Sequence, residues 1–594
     1  MLRERTVILG ISCFYHDAAA ALLIDGIIVA AAQEERFTRI KHDESFPLHA
    51  VRYCLDSQGL SINDVDHVVF YDKPILKFER ILQTYIRTWP RGLKSFLMAM
   101  RVWLKQKLWI EYEIAKKLQY GGRILFTEHH YAHAASAYYA SDFQDSVIVT
   151  IDGVGEWDTT TIGHGKDNQL VLTHAIHFPH SLGLLYSALT YYLGFKVNSA
   201  EYKVMGLAPY GNPDVYEKAF RKLITINDDG SYTLNMEYFS YECGLTMTNK
   251  RFDDLFGGTP RSPESPLTQR EKDIAASLQK ITEEAVLRIV AHARALYPSK
   301  NLCMAGGVAL NCVANGKILQ AHLFDSIYVQ PASGDAGGAV GAACYVYFDV
   351  LKNPKRKSAM PHAFLGPSFS NDEIEQFLQD EMARKGITLH YERIDDEKEL
   401  CSYTAQLLAD NNVVGWFQGR MEFGPRALGA RSIIADARKK GNWQRVNLKI
   451  KFRESFRPFA PTVLEEHADE YFGLGGHPSP YMLLVARVMN ESVPAVTHVD
   501  RSARVQTINR KDNQRYYDMV SAFYDLTGCP VVINTSFNVR SEPIVCSPQD
   551  AFNSFLHTDI DYLILGNYSI SKKDNPSLQR FKNTDHYLRE FELD

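Results

Sequence analysis

The chain has no Cys-x-x-Cys pair, and its nine cysteines are odd in number and scattered. That disfavours a disulfide scaffold and a structural zinc ribbon and fits a reducing compartment. An excess of positive charge is also missing: the formal net charge is −5, which argues against a dedicated nucleic-acid binder. There is no long unbroken apolar run, because Ala18–Ala32 is interrupted by Asp25-Gly26, a hairpin signal. The N-terminus enters a β-type run at Thr6–Ile11 with no signal-peptide architecture. Low-complexity tracts and short tandem repeats are absent as well. These absences lead to the expectation of a cytoplasmic protein with neither a membrane nor a nucleic acid as partner. What is present is 594 residues, 45% hydrophobic and 23% charged, enough for more than one globular domain.

Histidines 129 and 133 stand four positions apart in Thr127-Glu-His-His-Tyr-Ala-His-Ala-Ala-Ser136. On a helix such positions share a face, with Cβ atoms roughly 6 Å apart, so two imidazoles there can hold one metal ion. Asp152, at the end of the following β-type run, would add an oxygen ligand. A His/His/carboxylate set suits Zn, Fe or Mn better than Ca or Mg. The competing reading is two ordinary core or surface histidines on an alanine-rich helix.

Two stretches share a design. Val7–Ser12, Ala18–Leu23 and Ile27–Ala32 read as consecutive strands with a turn at Asp25-Gly26. Val147–Asp152, Thr159–Gly165 and Leu170–His177 repeat that pattern, with a turn near Lys166-Asp-Asn. Helical patterns intervene at Leu48–Ser57, Ile75–Leu118 and His130–Ala140. Duplicated hairpins followed by helices resemble the architecture of actin, hexokinase and the heat-shock ATPases, whose halves clamp a nucleotide. Two glycine-rich strand-to-helix junctions follow, at Asn301–Asn311 and Pro331–Gly341. Glycine there removes the Cβ that would clash with ribose or base.

Pro354–Pro361 is basic and proline-punctuated and reads as a linker between a first domain, 1–353, and a second α/β domain, 362–594. The second domain opens with helix Asn371–Lys385, strand Thr388–Arg393, helix Asp395–Ala409 and strand Val413–Gln418. Seven arginines then lie between Arg420 and Arg457, joined by Lys439, Lys440, Lys449 and Lys451. Rigid turns and aromatics interleave them. Arginine's planar fork pairs with phosphate or carboxylate, so a small phosphorylated ligand is favoured over a solvated surface or RNA. Leu93–Leu118 is basic and amphipathic; its expected fate is to pack its apolar stripe on its own domain rather than lie on a membrane.

Taken together, the motifs resemble the O-carbamoyltransferases of the nodulation-factor and antibiotic-tailoring family, among them the tobramycin, cephamycin and novobiocin carbamoyltransferases. They are Tyr15-His-Asp-Ala-Ala-Ala20, Gln33–Asp43, the His129/His133 pair, Asp152-Gly153, Glu201–Pro209, Gly306–Asn311, Gly334-Asp335, Gly424–Gly429, Phe456–Pro461 and Asn534–Asn538. Ala430 stands where many members carry Asn.

The resemblance implies an actin-like first domain similar to the tRNA threonylcarbamoyl-transferase domain and a YrdC-like second domain. It makes His129, His133 and Asp335 ligands of a divalent transition metal, iron above all, with Asp152 beside the metal or the phosphates. Gly306, Gly307, Asn311 and Gly334 would line the nucleotide. Arg420, Arg426, Arg457, Arg504, Asn534 and Arg540 would bind carbamoyl phosphate and the adenylate, and Lys41 would reach the phosphates. His16 or His130 would accept the proton of the acceptor hydroxyl. Substrates would be carbamoyl phosphate, ATP with Mg²⁺, and a small-molecule hydroxyl, the labile adenylate passing internally between the two centres. A homodimer is the expected assembly. The rival readings are an actin-fold small-molecule kinase, a tRNA threonylcarbamoyl-type enzyme and a non-catalytic nucleotide-binding regulator.

Overall fold

The computed structural model describes residues 5–355, 357–454 and 456–591; Arg356, inside the expected linker, lies outside them. The chain divides into two compact units, one of Met1–Glu34 with His42–Pro361 and one of Glu35–Lys41 with His362–Asp594.

In the first unit, β1 (Val7–Ser12), β2 (Ala19–Ile24) and β3 (Ile27–Gln33) form an antiparallel meander, and β4 (His67–Phe70) and β5 (Ile124–Phe126) extend it in parallel. The order is β3-β2-β1-β4-β5. The second sheet repeats it. The strands are β6 (Asp145–Ile151), β7 (Asp158–Lys166) and β8 (Gln169–His177), then, past a small ribbon of β9 (Ile224–Ile226) and β10 (Tyr232–Leu234), β11 (Asn301–Ala305) and β12 (Ser326–Val329). Their order is β12-β11-β6-β7-β8, antiparallel through β8 and parallel through β12. This duplicated three-strand meander with two parallel additions is the actin-like ATPase architecture. The β2–β3 turn has Asp25 at φ 49° and Gly26 at φ 86°, the conformation that a two-residue hairpin asks of Asp-Gly.

Helices lie between the sheets, so β1 and β2 are buried on both faces and read as unbroken apolar runs. The central pair is His129–Tyr138 and Asp335–Tyr345. Both are rich in alanine, and the second in glycine, for a steric reason. A Cβ on Gly341 would sit 1.7 Å from the Ala132 carbonyl oxygen, so only glycine lets the two backbones approach this closely.

The expected helical run Ile75–Leu118 is three helices, Pro74–Thr88, Leu93–Lys105 and Ile110–Leu118. Pro90 and Gly92, the latter at φ 84°, end the first. The expected linker is not a free tether. The Lys355 amine donates to the carbonyls of Ser141 (2.9 Å) and Phe143 (2.5 Å), and the Ala359 N–H donates to Tyr139 at 2.8 Å. Ser358, Ala359 and Met360 are buried; small and apolar residues there favour packing over solvation.

The second unit is built on one mixed sheet. Its strands are β13 (Tyr391–Arg393), β14 (Val414–Phe417), β15 (Arg431–Asp436), β16 (Ala460–Leu464), β17 (Leu484–Arg487), β18 (Ser502–Ile508), β19 (Val531–Ser536), β20 (Tyr562–Leu565) and β21 (Tyr568–Ser571). They run in the order β13-β21-β20-β14-β15-β19-β16-β18-β17. Helices Glu397–Ala409, Gln514–Thr527 and Pro548–His557 pack on it. Helix Asn371–Lys385 has the bounds its pattern implies: Ser370 and Glu373 close a capping box at its start, and Gly386, at φ 59°, ends it.

Candidate metal centre and anion site

The helix His129–Tyr138 begins where Glu156 receives the backbone N–H of His129 at 3.0 Å. Burial pushes the Glu156 carboxyl up to about 7, against the pull of Lys77. One turn of helix brings the Nε2 atoms of His129 and His133 to 3.1 Å from each other. Asp152 follows the last residue of β6, and its Oδ2 lies 3.1 Å from His129 Nε2 and 3.9 Å from His133 Nε2. Asp335 opens its helix, with Oδ1 3.6 and 3.8 Å from the same two nitrogens. All four residues are buried or nearly so, and their donor atoms lie within 4.8 Å of one another.

Burial holds both imidazoles below their ordinary range, His129 the further of the two, so their lone pairs are available. Although burial opposes it, the hydrogen bond with His129 and the surrounding histidine rings keep Asp152 well below the usual carboxylate range. Burial and neighbouring Asp152 push Asp335 up to about 6, against His16. Two nitrogens and two carboxylates converging in this way fit a divalent transition metal. The Nδ1 atoms of His129 and His133 are buried with no hydrogen-bond partner among the described residues, so neither tautomer is set from outside. Tyr71, which sequence reasoning missed, donates its hydroxyl to Asp335 Oδ2 at 3.2 Å.

Asp152 also faces the glycine turn after β11. Its Oδ1 accepts the Gly307 N–H at 2.8 Å. Gly306 stands at φ 92°, and a Cβ there would press on the Ile151 carbonyl oxygen at 2.3 Å. At Gly334 a Cβ would meet nothing within 4 Å, so the fold itself makes no demand for glycine at that position. Asn311 is occupied otherwise: its Oδ1 accepts the Ala314 N–H at 3.0 Å, capping helix Cys312–Gln320, and its Nδ2 donates to Gln279 at 3.0 Å.

The two candidate bases differ. His16 Nδ1 lies 2.9 Å from Asp17, which also holds His42 at 2.7 Å, and His16 Nε2 is 3.7 Å from Asp335. Burial disfavours its charge, but Asp335 and Asp17 outweigh that and raise it well above the ordinary histidine value. A charged imidazolium suits an anion better than an incoming proton. Burial and His133 bring His130 down to about 4. Its Nδ1 lies 2.6 Å from Thr150 Oγ1, and its Nε2 has no hydrogen-bond partner among the described residues.

In the second unit the arginines fall into groups. Arg431 is structural: fully buried on the Phe417 ring, it donates to the carbonyls of Gln418 (3.0 Å) and Pro367 (2.9 Å). Arg438 and Arg445 pair with Asp436 and Asp561, and Arg420 donates to the Leu365 carbonyl at 2.7 Å. Asn534 is buried, with Nδ2 donating to Gln506 Oε1 (2.8 Å), Thr462 Oγ1 (3.1 Å) and the Ala427 carbonyl (3.3 Å). This network fixes the chain next to Arg426, and Arg504 lies two residues before Gln506 on β18, on the same strand face.

A second group gathers at Glu454, with Arg457 at 3.6 Å and Arg540 at 3.9 Å. Beside it lies Lys451, buried, its amine donating to the carbonyls of Ser536 and Asn538, each at 2.7 Å. Burial first, then Arg453, Arg457 and Lys41, bring that amine well below the usual lysine range. Lys41 thus stands with the second unit, not the first as expected. The reason is the pinning of its segment: Arg36 donates to the Gly424 carbonyl at 2.8 Å, and Arg39 to Glu542 at 2.8 Å and Ile544 at 2.7 Å. Lys451 was visible as one of several lysines, but burial cannot be read from its neighbours in sequence.

Family models match both units: residues 7–344 fit the carbamoyltransferase N-terminus and residues 405–572 the carbamoyltransferase C-terminus. The chain belongs to the carbamoyltransferase family. This carbamoyltransferase is 51% identical to an uncharacterized protein of Synechocystis sp., over 99% of this chain and 100% of the relative. It is 38% identical to nodulation protein NolNO of Sinorhizobium fredii, covering 94% and 79% of the two chains. With nodulation protein NolO of Bradyrhizobium diazoefficiens the identity is 41%, covering 75% and 79%. Among solved structures, HypF of T. kodakarensis aligns with 59% of this chain and 50% of its own, at TM-score 0.30 and 15% identity. Component A of the Acidaminococcus fermentans (R)-2-hydroxyglutaryl-CoA dehydratase aligns with 58% and 99%, at TM-score 0.32 and 14% identity.

Proposed function

We propose that this carbamoyltransferase acts on a hydroxyl of a small molecule and is driven by ATP through carbamoyladenylate. In this reading the second unit, taken as YrdC-like, forms the adenylate. Atom balance sets the stoichiometry: carbamoyl phosphate, ATP and one water yield carbamoyladenylate, pyrophosphate and phosphate. Arg457, Arg540, Lys451 and Lys41 neutralise charge on the leaving pyrophosphate. Arg426, Arg504 and Asn534 hold the carbamoyl and phosphate groups, and Arg420, bound to backbone carbonyls, orients the approach.

The first unit then transfers the carbamoyl group. The turn at Gly306-Gly307 and the clearance at Gly334 admit the nucleotide. His129, His133, Asp335 and Asp152 hold the metal, for which the resemblance favours Fe²⁺, and when bound it supplies Lewis acidity. His16, kept charged by its two carboxylate neighbours, steadies the phosphate. The Nε2 of His130 receives the proton of the attacking hydroxyl, and AMP leaves. The observation that carries the proposal is the double use of Asp152, whose two oxygens join the glycine turn to the histidine pair. That supports nucleotide and metal binding at one place.

The test is product analysis with carbamoyl phosphate and ATP. Pyrophosphate and phosphate should appear in equal amounts, and only when both substrates are present. ADP formation indifferent to carbamoyl phosphate would instead support the kinase reading, and a strict need for tRNA the threonylcarbamoyl reading.

A further inference from the structure

Between Glu79 and Glu111 the chain carries seven Lys or Arg residues and not one Asp or Glu. The helix Leu93–Lys105 occupies the middle of this acid-free stretch. Its inner face is partnered: Phe96 stacks on Tyr85 with ring centroids 3.9 Å apart, and Trp103 is buried near Phe78 at 5.9 Å. Its outer face is not. Leu93, Leu97 and Leu104, spaced i, i+4 and i+11 on one side of the helix, are each about half exposed, as are Met98 and Val102. Trp89 lies beyond one end at 65% exposed and Trp109 beyond the other at 58%.

Lys94, Arg101 and Lys105 run alongside the leucine row, displaced from it by less than one turn, and Arg91 precedes it. None of these four makes an ion pair with the described residues. The expected packing of the apolar stripe on its own domain is therefore met by the inner face alone.

We propose that this face docks the enzyme on an anionic lipid surface. Four cations without an ion pair among the described residues, on a stretch of chain whose acid neighbour Glu242 is taken by Arg87, complement lipid phosphates, while a row of leucines flanked by two indoles suits the boundary between headgroups and acyl chains. A protein partner would have to present acids and a matching groove together; a bilayer presents both along its whole extent. No described helix is long and apolar enough to cross a membrane, so the contact is one of lying on the surface. It stands independently of the carbamoyladenylate reading.

The experiment is co-sedimentation of the full chain with vesicles of phosphatidylcholine alone or with about 30% phosphatidylglycerol. The protein should pellet with the anionic vesicles only, and lose them as salt rises toward about 1 M. Arg101→Glu with Lys105→Glu should weaken partition at least twentyfold, each charge being worth about fivefold. Leu97→Glu with Leu104→Glu should also weaken it, both pairs leaving the thermal unfolding midpoint within about 3 °C of the wild type. Equal binding to both vesicles, no binding, or indifference to both variants overturns the proposal. So does a wild-type dimer, seen by light scattering, that ignores vesicles and falls to monomer in the leucine variant, since the face would then belong to a second copy of the chain.

Discussion

In the first unit acids and neutral imidazoles share a buried pocket, Asp152 and Asp335 against His129 and His133; in the second, Lys451 is pressed by Arg453, Arg457 and Lys41 with Glu454 between two arginines. The two places differ in sign, and the sign decides what each can take. Carboxylates beside unprotonated nitrogens favour a cation; crowded ammonium and guanidinium groups favour a polyanion. A reaction that uses both must separate them, because one would neutralise the other.

The comparison breaks most sharply at His133. His133→Ala should cut bound transition metal, read by elemental analysis, by on the order of 100-fold in affinity or more, while carbamoyl-phosphate-dependent pyrophosphate release stays within about twofold. Loss of both activities together would mean that the two places are not separate centres. Arg457→Ala is the converse: pyrophosphate release should fall by roughly 10²-fold with metal content unaltered. An unchanged rate would remove this arginine from the anion site.

A smaller effect sharpens the electrostatic side. Because burial and neighbouring cations lower the Lys451 amine, an anion placed beside it should raise it again. Binding then takes up a proton between the two values, and affinity falls as pH rises through that window, by at most about tenfold per unit. Titration calorimetry of pyrophosphate in two buffers of different ionisation enthalpy should show uptake of up to about one proton, abolished in Lys451→Met. Equal heats in both buffers would show that this amine does not answer to the ligand.

Much of the first unit was legible because its signals are local. Asp25-Gly26 between apolar runs announces a hairpin, and the spacing of His129 and His133 places two nitrogens on one face whatever surrounds them. Asp335 came only through the resemblance: its partnership with the histidines depends on two helices touching at Gly341, and no local pattern encodes that contact. Asn311 shows the opposite difficulty. An amide in a glycine-rich junction reads as a nucleotide contact, yet here it caps a helix and pairs with Gln279. In the second unit the run of arginines was plain, but which of them are structural was not. Arg431 and Arg457 look alike in sequence and are separated only by burial on Phe417 and by Glu454. The break at Pro90-Arg-Gly92 is legible too: it divides the helical pattern Ile75–Leu118 between the helices Pro74–Thr88 and Leu93–Lys105.

The segment Glu35–Lys41 emerges early from the ribosome, yet the rest of its unit begins about 320 residues later, a wait of roughly 15 s to a minute at common elongation speeds. Until then Arg36 and Arg39 have no Gly424 or Glu542 to meet. The unit that is finished last must therefore reach back for a piece delivered at the outset, and a gene cut at the boundary between the family models would strand that piece on the wrong half.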